Sequence, residues 1–158
     1  MKTLARAAAI AALTLSPVLM AGCAPNTTST PKSGAAMPSA VVDPYLKISS
    51  ALAKDSIEGV RANAGDLATA ATALGAPAMK IDTAAVQLAA ASEIGDAREK
   101  FGTLSDAIVT YLDGLHLMLP DGVQVAICPM VQKPWLQEGS DINNPYFGAS
   151  MPTCGNFR

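Results

Sequence analysis

Acid–base and nucleophilic chemistry have little to work with in this sequence. It holds one histidine, His116, and three cysteines. It has no glycine-framed serine of the nucleophile-elbow kind, no CxxC, no HExxH and no phosphate-cradling glycine loop. Its thirteen Asp and Glu residues are scattered at positions expected for solvated helix faces. These absences point away from an enzyme. Basic runs are missing too, and the formal net charge is −2, which argues against nucleic acid or an anionic lipid surface as partner. Aromatic residues make up only 4 % of the chain, so its core must be built mainly from Leu, Ile, Val and Ala.

What is present begins with a secretory signature. "MKTLARAAAIAALTLSPVLMAGC" has a basic start (Lys2, Arg6), an uncharged Ala/Leu-rich run and small residues at its end, which predicts a signal peptide over residues 1–22. The run contains Pro17 and stops at Gly22-Cys23, which makes it a poor membrane anchor in itself. Ala21-Gly22 directly before Cys23 resembles the lipobox of bacterial lipoproteins, although Met20 stands where leucine is usual. The resemblance implies lipidation of Cys23; the alternative is ordinary cleavage nearby with Cys23 left free. Ala24 after the cysteine implies the outer rather than the inner membrane. Residues 23–42 then read as the lipidated cysteine and a Thr/Ser/Pro/Ala-rich tether, with Met37 a bystander in it. Loss of Lys2 and Arg6 takes the charge of the mature chain from −2 to −4.

About 115 residues remain from Asp43 onward, one domain's worth. Asp43 and Pro44 read as an N-cap and first helical position, followed by Tyr45, Ile48, Leu52, Ile57, Val60, Leu67, Ala71 and Leu74. Gly59 and Gly65 leave open whether this is one helix or two. "MKIDTAAVQLAAASEIG" predicts an Ala-rich helix carrying Ile81, Val86, Leu88 and Ile94. Asp96 and Glu99 have capping-box spacing, and Phe101, Leu104, Ile108, Tyr111, Leu112 and Leu115 form a stripe of period 3.6 that stops near Pro120. The expected fold is mainly α. It is an antiparallel three- or four-helix bundle with a short extended segment, "VQVAIC", and a long C-terminal Cys/Met loop from Met130 to Arg158. In that segment Val123, Val125 and Ile127 share one face.

The tail concentrates the unusual residues. Cys128-Pro129-Met130 and Met151-Pro152-Thr153-Cys154 are mirror-like sulfur clusters. Thiolates and thioethers are soft donors that select Cu(I), with Ag(I) as its mimic, whereas zinc prefers four Cys, His or carboxylate ligands. Cys128, Met130, Met151 and Cys154 are therefore a candidate metal set. The residue types also allow, and taken alone favour, a Cys128–Cys154 disulfide, since secreted proteins meet oxidising conditions. Such a bridge would close a loop of about 25 residues and stabilise by roughly 3 kcal/mol on a chain-entropy estimate, leaving both methionines as filler. His116 and Met118 are an outside addition to the metal set. Two residues on an ideal helix lie about 200° apart, so they could share an ion only where the helix has frayed; a half-buried capped histidine is the other reading. Trp135, Tyr146 and Phe147 are expected to pin the tail, with Trp135 over a bound cation as the alternative, and Asn143-Asn144-Pro145 to make a turn.

"CPM", "WLQ", "INNPYFG" and "MxxCG", with upstream "RxxFxxLS" (Arg98, Phe101, Leu104, Ser105) and "YLKISSALAKDS", resemble an uncharacterised bacterial domain family. That domain stands at the C-terminus of periplasmic adaptors of heavy-metal efflux systems and as free-standing secreted or lipid-anchored proteins. The resemblance covers nearly all of residues 43–158. It departs in one place: only Val131, Gln132, Lys133 and Pro134 separate "CPM" from Trp135, where the family carries a longer insertion. It implies a small helical domain that binds or hands over copper or silver near an efflux adaptor or pump. The rival expectation is a disulfide-stapled structural or interaction module of the envelope without metal.

Overall fold

The computed structural model describes residues 34–158. The signal segment, Cys23 and most of the expected tether lie outside the described residues. Four α-helices, α1 (Ser39–Ala53), α2 (Val60–Leu74), α3 (Met79–Ala89) and α4 (Ile94–Gly114), precede three strands, β1 (Val123–Cys128), β2 (Lys133–Glu138) and β3 (Asn156–Phe157). The strands form one antiparallel sheet in the order β2-β1-β3. The expected mainly-α bundle with a loop-like tail is therefore corrected: the fold is mixed α/β, and the tail supplies two of the three strands.

The folded chain begins earlier than the Asp43 boundary. Residues 34–37 run beside 116–118: Gly34 N–H donates to the His116 carbonyl, Met118 N–H to Ala35 and Met37 N–H to Met118. Met37 is buried, and α1 starts at Ser39 with Pro38 before it, so Pro44 lies inside the helix. Pro44 cannot donate to the carbonyl four residues back. Burial of Met37, Val41 and Val42 offsets that loss, at about 1.5–3 kcal/mol for a side chain of this size.

A turn at 54–59, with Asp55 and Gly59 at positive φ, separates α1 from α2. Helices α2 and α3 pack closely because their buried residues include Ala64, Ala68, Ala71, Ala84 and Ala85; Val86 is exposed. Helix α4 buries Phe101, Leu104, Ile108, Tyr111 and Leu112 of the predicted stripe, and the sixth member, Leu115, is half-buried just past the helix end. It starts at Ile94, two residues before the expected cap. Asp96 thus sits in the first turn, where its charge suits the helix dipole, and it pairs with Lys100 at 2.8 Å.

Alternation in "VQVAIC" was misleading because β1 is the central strand. Val123 and Val125 are buried on one face, Ala126 and Cys128 on the other, and Ile127 is exposed. Strand β2 carries Pro134, yet it is an edge strand, and Pro134 takes a position whose missing N–H would face away from β1. Its outward edge is held by tyrosines. Leu136 N–H donates to Tyr45 Oη at 3.2 Å, and Tyr45 Oη lies 2.6 Å from Ser105 Oγ. Burial pushes the Tyr45 hydroxyl well above its ordinary pKa, which keeps it neutral. Tyr45→Phe is expected to cost about 1–3 kcal/mol, read by denaturant unfolding, because it orphans a buried backbone N–H. A loss under about 0.5 kcal/mol would show that the junction is not a strong tie.

Candidate functional site: two thiols under a buried asparagine

The hairpin between β1 and β2 is closed by four residues, Pro129–Gln132, with Gln132 at positive φ. This is the short connection where the resembled family has an insertion. The chain then leaves β2, folds back over the sheet through 139–155 and pairs β3 against β1. That return brings Cys154 to Cys128. Cys128 is fully buried at the end of β1, Cys154 is half-buried, and neither is in a disulfide. Burial first, and then the neighbouring Cys128, push the Cys154 thiol pKa up.

Asn144, which is buried, organises the pair. Its Nδ2 donates to Cys128 Sγ at 3.3 Å and to the Cys154 carbonyl at 2.6 Å. Its Oδ1 accepts from the backbone N–H of Tyr146 at 2.8 Å and of Phe147 at 3.3 Å. Its own N–H donates to the Pro152 carbonyl. The "NNP" turn was legible in sequence; the bond from that turn to a sulfur was not, because only the fold brings the two segments together.

The methionines are placed differently from one another. Met130 lies in the hairpin turn and is 64 % exposed. Met151 is half-buried and shares a turn with Cys154, whose N–H donates to the Met151 carbonyl at 3.3 Å. His116 is not brought to the sulfurs. Helix α4 has ended at Gly114, and His116, at positive φ, lines a depression with Asp113, Val123 and Arg158 at the opposite end of β1 from Cys128. Five residue steps of strand put those ends roughly 17 Å apart, beyond shared coordination of one ion. Met118 is exposed. Among the described residues no group of three or more His, Cys, Asp or Glu side chains converges.

Aromatic residues and one ion pair hold the tail in place. Trp135 is fully buried, its indole N–H donates to Gln137 Oε1 at 3.0 Å, and its ring meets Tyr146 edge-on at 6.0 Å. Tyr146 leans on Phe101, which stacks on Tyr45. Trp135 is thus a packing residue linking sheet, tail and helices. Arg98 of α4 donates to the carbonyls of Pro145 and Leu52 and pairs with Asp55, and Asp55 accepts from Ala149 N–H. The Arg98 guanidinium holds the Asp55 carboxyl below its ordinary pKa. Sequence reading placed Arg98 in "RxxFxxLS" and Asp55 in "YLKISSALAKDS" but did not pair them; no local pattern marks a turn residue for a partner 43 positions away.

The fold and the paired sulfurs define a small mixed α/β domain with a dithiol at the base of its C-terminal cap. No protein-family model, curated protein or solved structure matches the chain.

Proposed function

We propose that this domain takes up a soft monovalent ion, Cu(I) first and Ag(I) as its analogue, between the sulfurs of Cys128 and Cys154, and hands it on within the bacterial cell envelope. The observation that supports this reading is the thiol pair itself: two free cysteines from distant segments brought to one buried asparagine, whose amide donates to the sulfur of Cys128 and to the carbonyl of Cys154. Two thiolates suit a soft ion of low coordination number. The enclosed Cys128 retains it, while the half-exposed Cys154 gives an incoming or outgoing carrier its point of entry. Met151 is a half-buried thioether three residues before Cys154 and Met130 an exposed one at the hairpin, so both complete the sulfur set in secondary roles. The signal-like segment and the lipobox-like residues before Cys23 support a periplasmic location with a tether to the outer membrane, and a metal-efflux adaptor or pump component is the partner this reading proposes.

Metal must displace the thiol protons, and the Cys154 proton is held more tightly than usual. Apparent affinity for Cu(I) is therefore expected to rise with pH through the neutral range, by about tenfold per unit for each proton released. Competition titrations with a Cu(I) chelator at several pH values check this; a flat profile would remove the thiols from the site. Cys154→Ser is expected to lower affinity at least about a hundredfold, equivalent to about 2.7 kcal/mol, and Met130→Leu to have a much smaller effect.

The same pair supports a second reading, in which oxidation joins Cys128 to Cys154 and the tail is a stapled cap without metal. Intact mass of the domain taken from the periplasm under thiol trapping, with and without added copper, separates the two. Two trapped thiols and one retained ion support metal binding. A closed disulfide in both samples, with no metal, overturns it.

A further inference from the structure

A second site stands apart from the sulfurs. A cleft of about 260 Å³ lies between α1 and the end of β2, walled by Leu46, Ser49, Ser50, Ala53, Lys54 and Glu138. Three observations bear on what it takes.

The first is a free sheet edge. Along an antiparallel strand, successive residues alternate between turning their backbone groups towards the partner and away from it. Leu136 turns its N–H outward to Tyr45, Pro134 turns its carbonyl outward to Tyr146, and Gly139 turns its N–H inward to Gly122. Glu138, two residues beyond Leu136, therefore points its N–H and C=O away from β1, on the cleft side, where no described residue meets them. The second is Ser49. It is 4 % exposed, and its hydroxyl makes no hydrogen bond with a described residue, whereas Thr69 and Thr72 of α2 bond back to their own helix. Tyr111 Oη is the one fully enclosed side-chain oxygen or nitrogen without a partner among the described residues, so the sliver of Ser49 left accessible includes its hydroxyl, facing the cleft. The third is charge. Lys54 and Glu138 face the same cleft, and neither is ion-paired among the described residues.

We propose that this cleft binds a short zwitterionic peptide of two or three residues. Its carboxylate meets the Lys54 ammonium and the Ser49 and Ser50 hydroxyls, its amino group meets the Glu138 carboxylate, and its internal amide pairs with the Glu138 backbone. Edge pairing of this kind supplies main-chain bonds while small neighbouring walls, here Leu46 and Ala53, limit the side chains admitted. The volume is below that of an ordinary drug-sized pocket, which excludes longer segments held along their full length. The site uses no sulfur, so it stands or falls independently of the metal reading.

The test is amide-resonance perturbation on titrating the chain with the twenty Ala-Xaa dipeptides up to about 10 mM, a range that detects millimolar dissociation constants. Expected are shifts at Ser49, Ser50 and Glu138 with at least one dipeptide, and about fivefold weaker binding when its amino group is acetylated or its carboxylate amidated. Lys54→Met should weaken the free dipeptide by a similar factor and leave the amidated one unchanged; Glu138→Gln should do the same for the acetylated one. Both residues are exposed, so the variants keep the fold. Absence of shifts with every dipeptide, or equal binding of free and blocked forms, overturns the proposal.

Discussion

Trp135→Ala is expected to lower the unfolding free energy by about 3–5 kcal/mol, a large share of the 5–15 kcal/mol typical of a domain. The ring is fully buried, and three different parts of the chain rest on it. Tyr146 meets it edge-on at 6.0 Å, Gln137 accepts its N–H, and Gly155 passes so close that a Cβ there would lie 2.5 Å from the ring. Removing the indole leaves a cavity between sheet and tail that neither the helices nor the strands can collapse to fill. Circular dichroism through a denaturant titration reads the effect, since Trp135 is the only tryptophan. A loss below about 1 kcal/mol would show that the tail is seated elsewhere.

Asn144→Leu should cost about 3 kcal/mol and free the thiols. The substitution orphans the backbone N–H groups of Tyr146 and Phe147, each worth about 1–3 kcal/mol when buried without a partner, and strips the Cys154 carbonyl of its donor. Cys128, now without the amide on its sulfur, should react faster with a small thiol reagent in the native state, because the cap opens locally more often. Asn144→Asp separates the two roles. Its carboxylate can still accept from Tyr146 and Phe147, but it offers no donor to Cys128 and sets a negative charge beside the sulfur. Stability should fall less than in Asn144→Leu, whereas Cu(I) affinity should fall more. Unchanged thiol reactivity in both variants would show that Asn144 only shapes the turn.

The two expectations meet in one mechanical arrangement. The tail is held at its middle by Arg98 and Asp55, at its end by β3, and underneath by Trp135 and Tyr146. The dithiol lies between these anchors, so its geometry is set by the fold of the whole tail rather than by the short motifs around each cysteine.

Helix α4 was legible in the sequence because its information is local. Phe101, Leu104, Ile108, Tyr111 and Leu112 repeat at the helical period, and the same five residues are buried. The prolines and glycines that punctuate the tail were legible for the same reason. Strand β2 was not. "KPWLQE" has no alternation, since Trp135, Leu136 and Gln137 are all buried, and it contains a proline that a sheet tolerates only at an outward-facing edge position. Whether such a position exists depends on which strand lies next to it. Met37 could not be read as core from a polar tether, because its segment is held in place by backbone pairing with the chain at 116–118. The four sulfurs were visible as a set. Which two of them come together was decided by the register of β3 on β1 and by Asn144, contacts made between residues far apart in the chain, where sequence periodicity carries no signal.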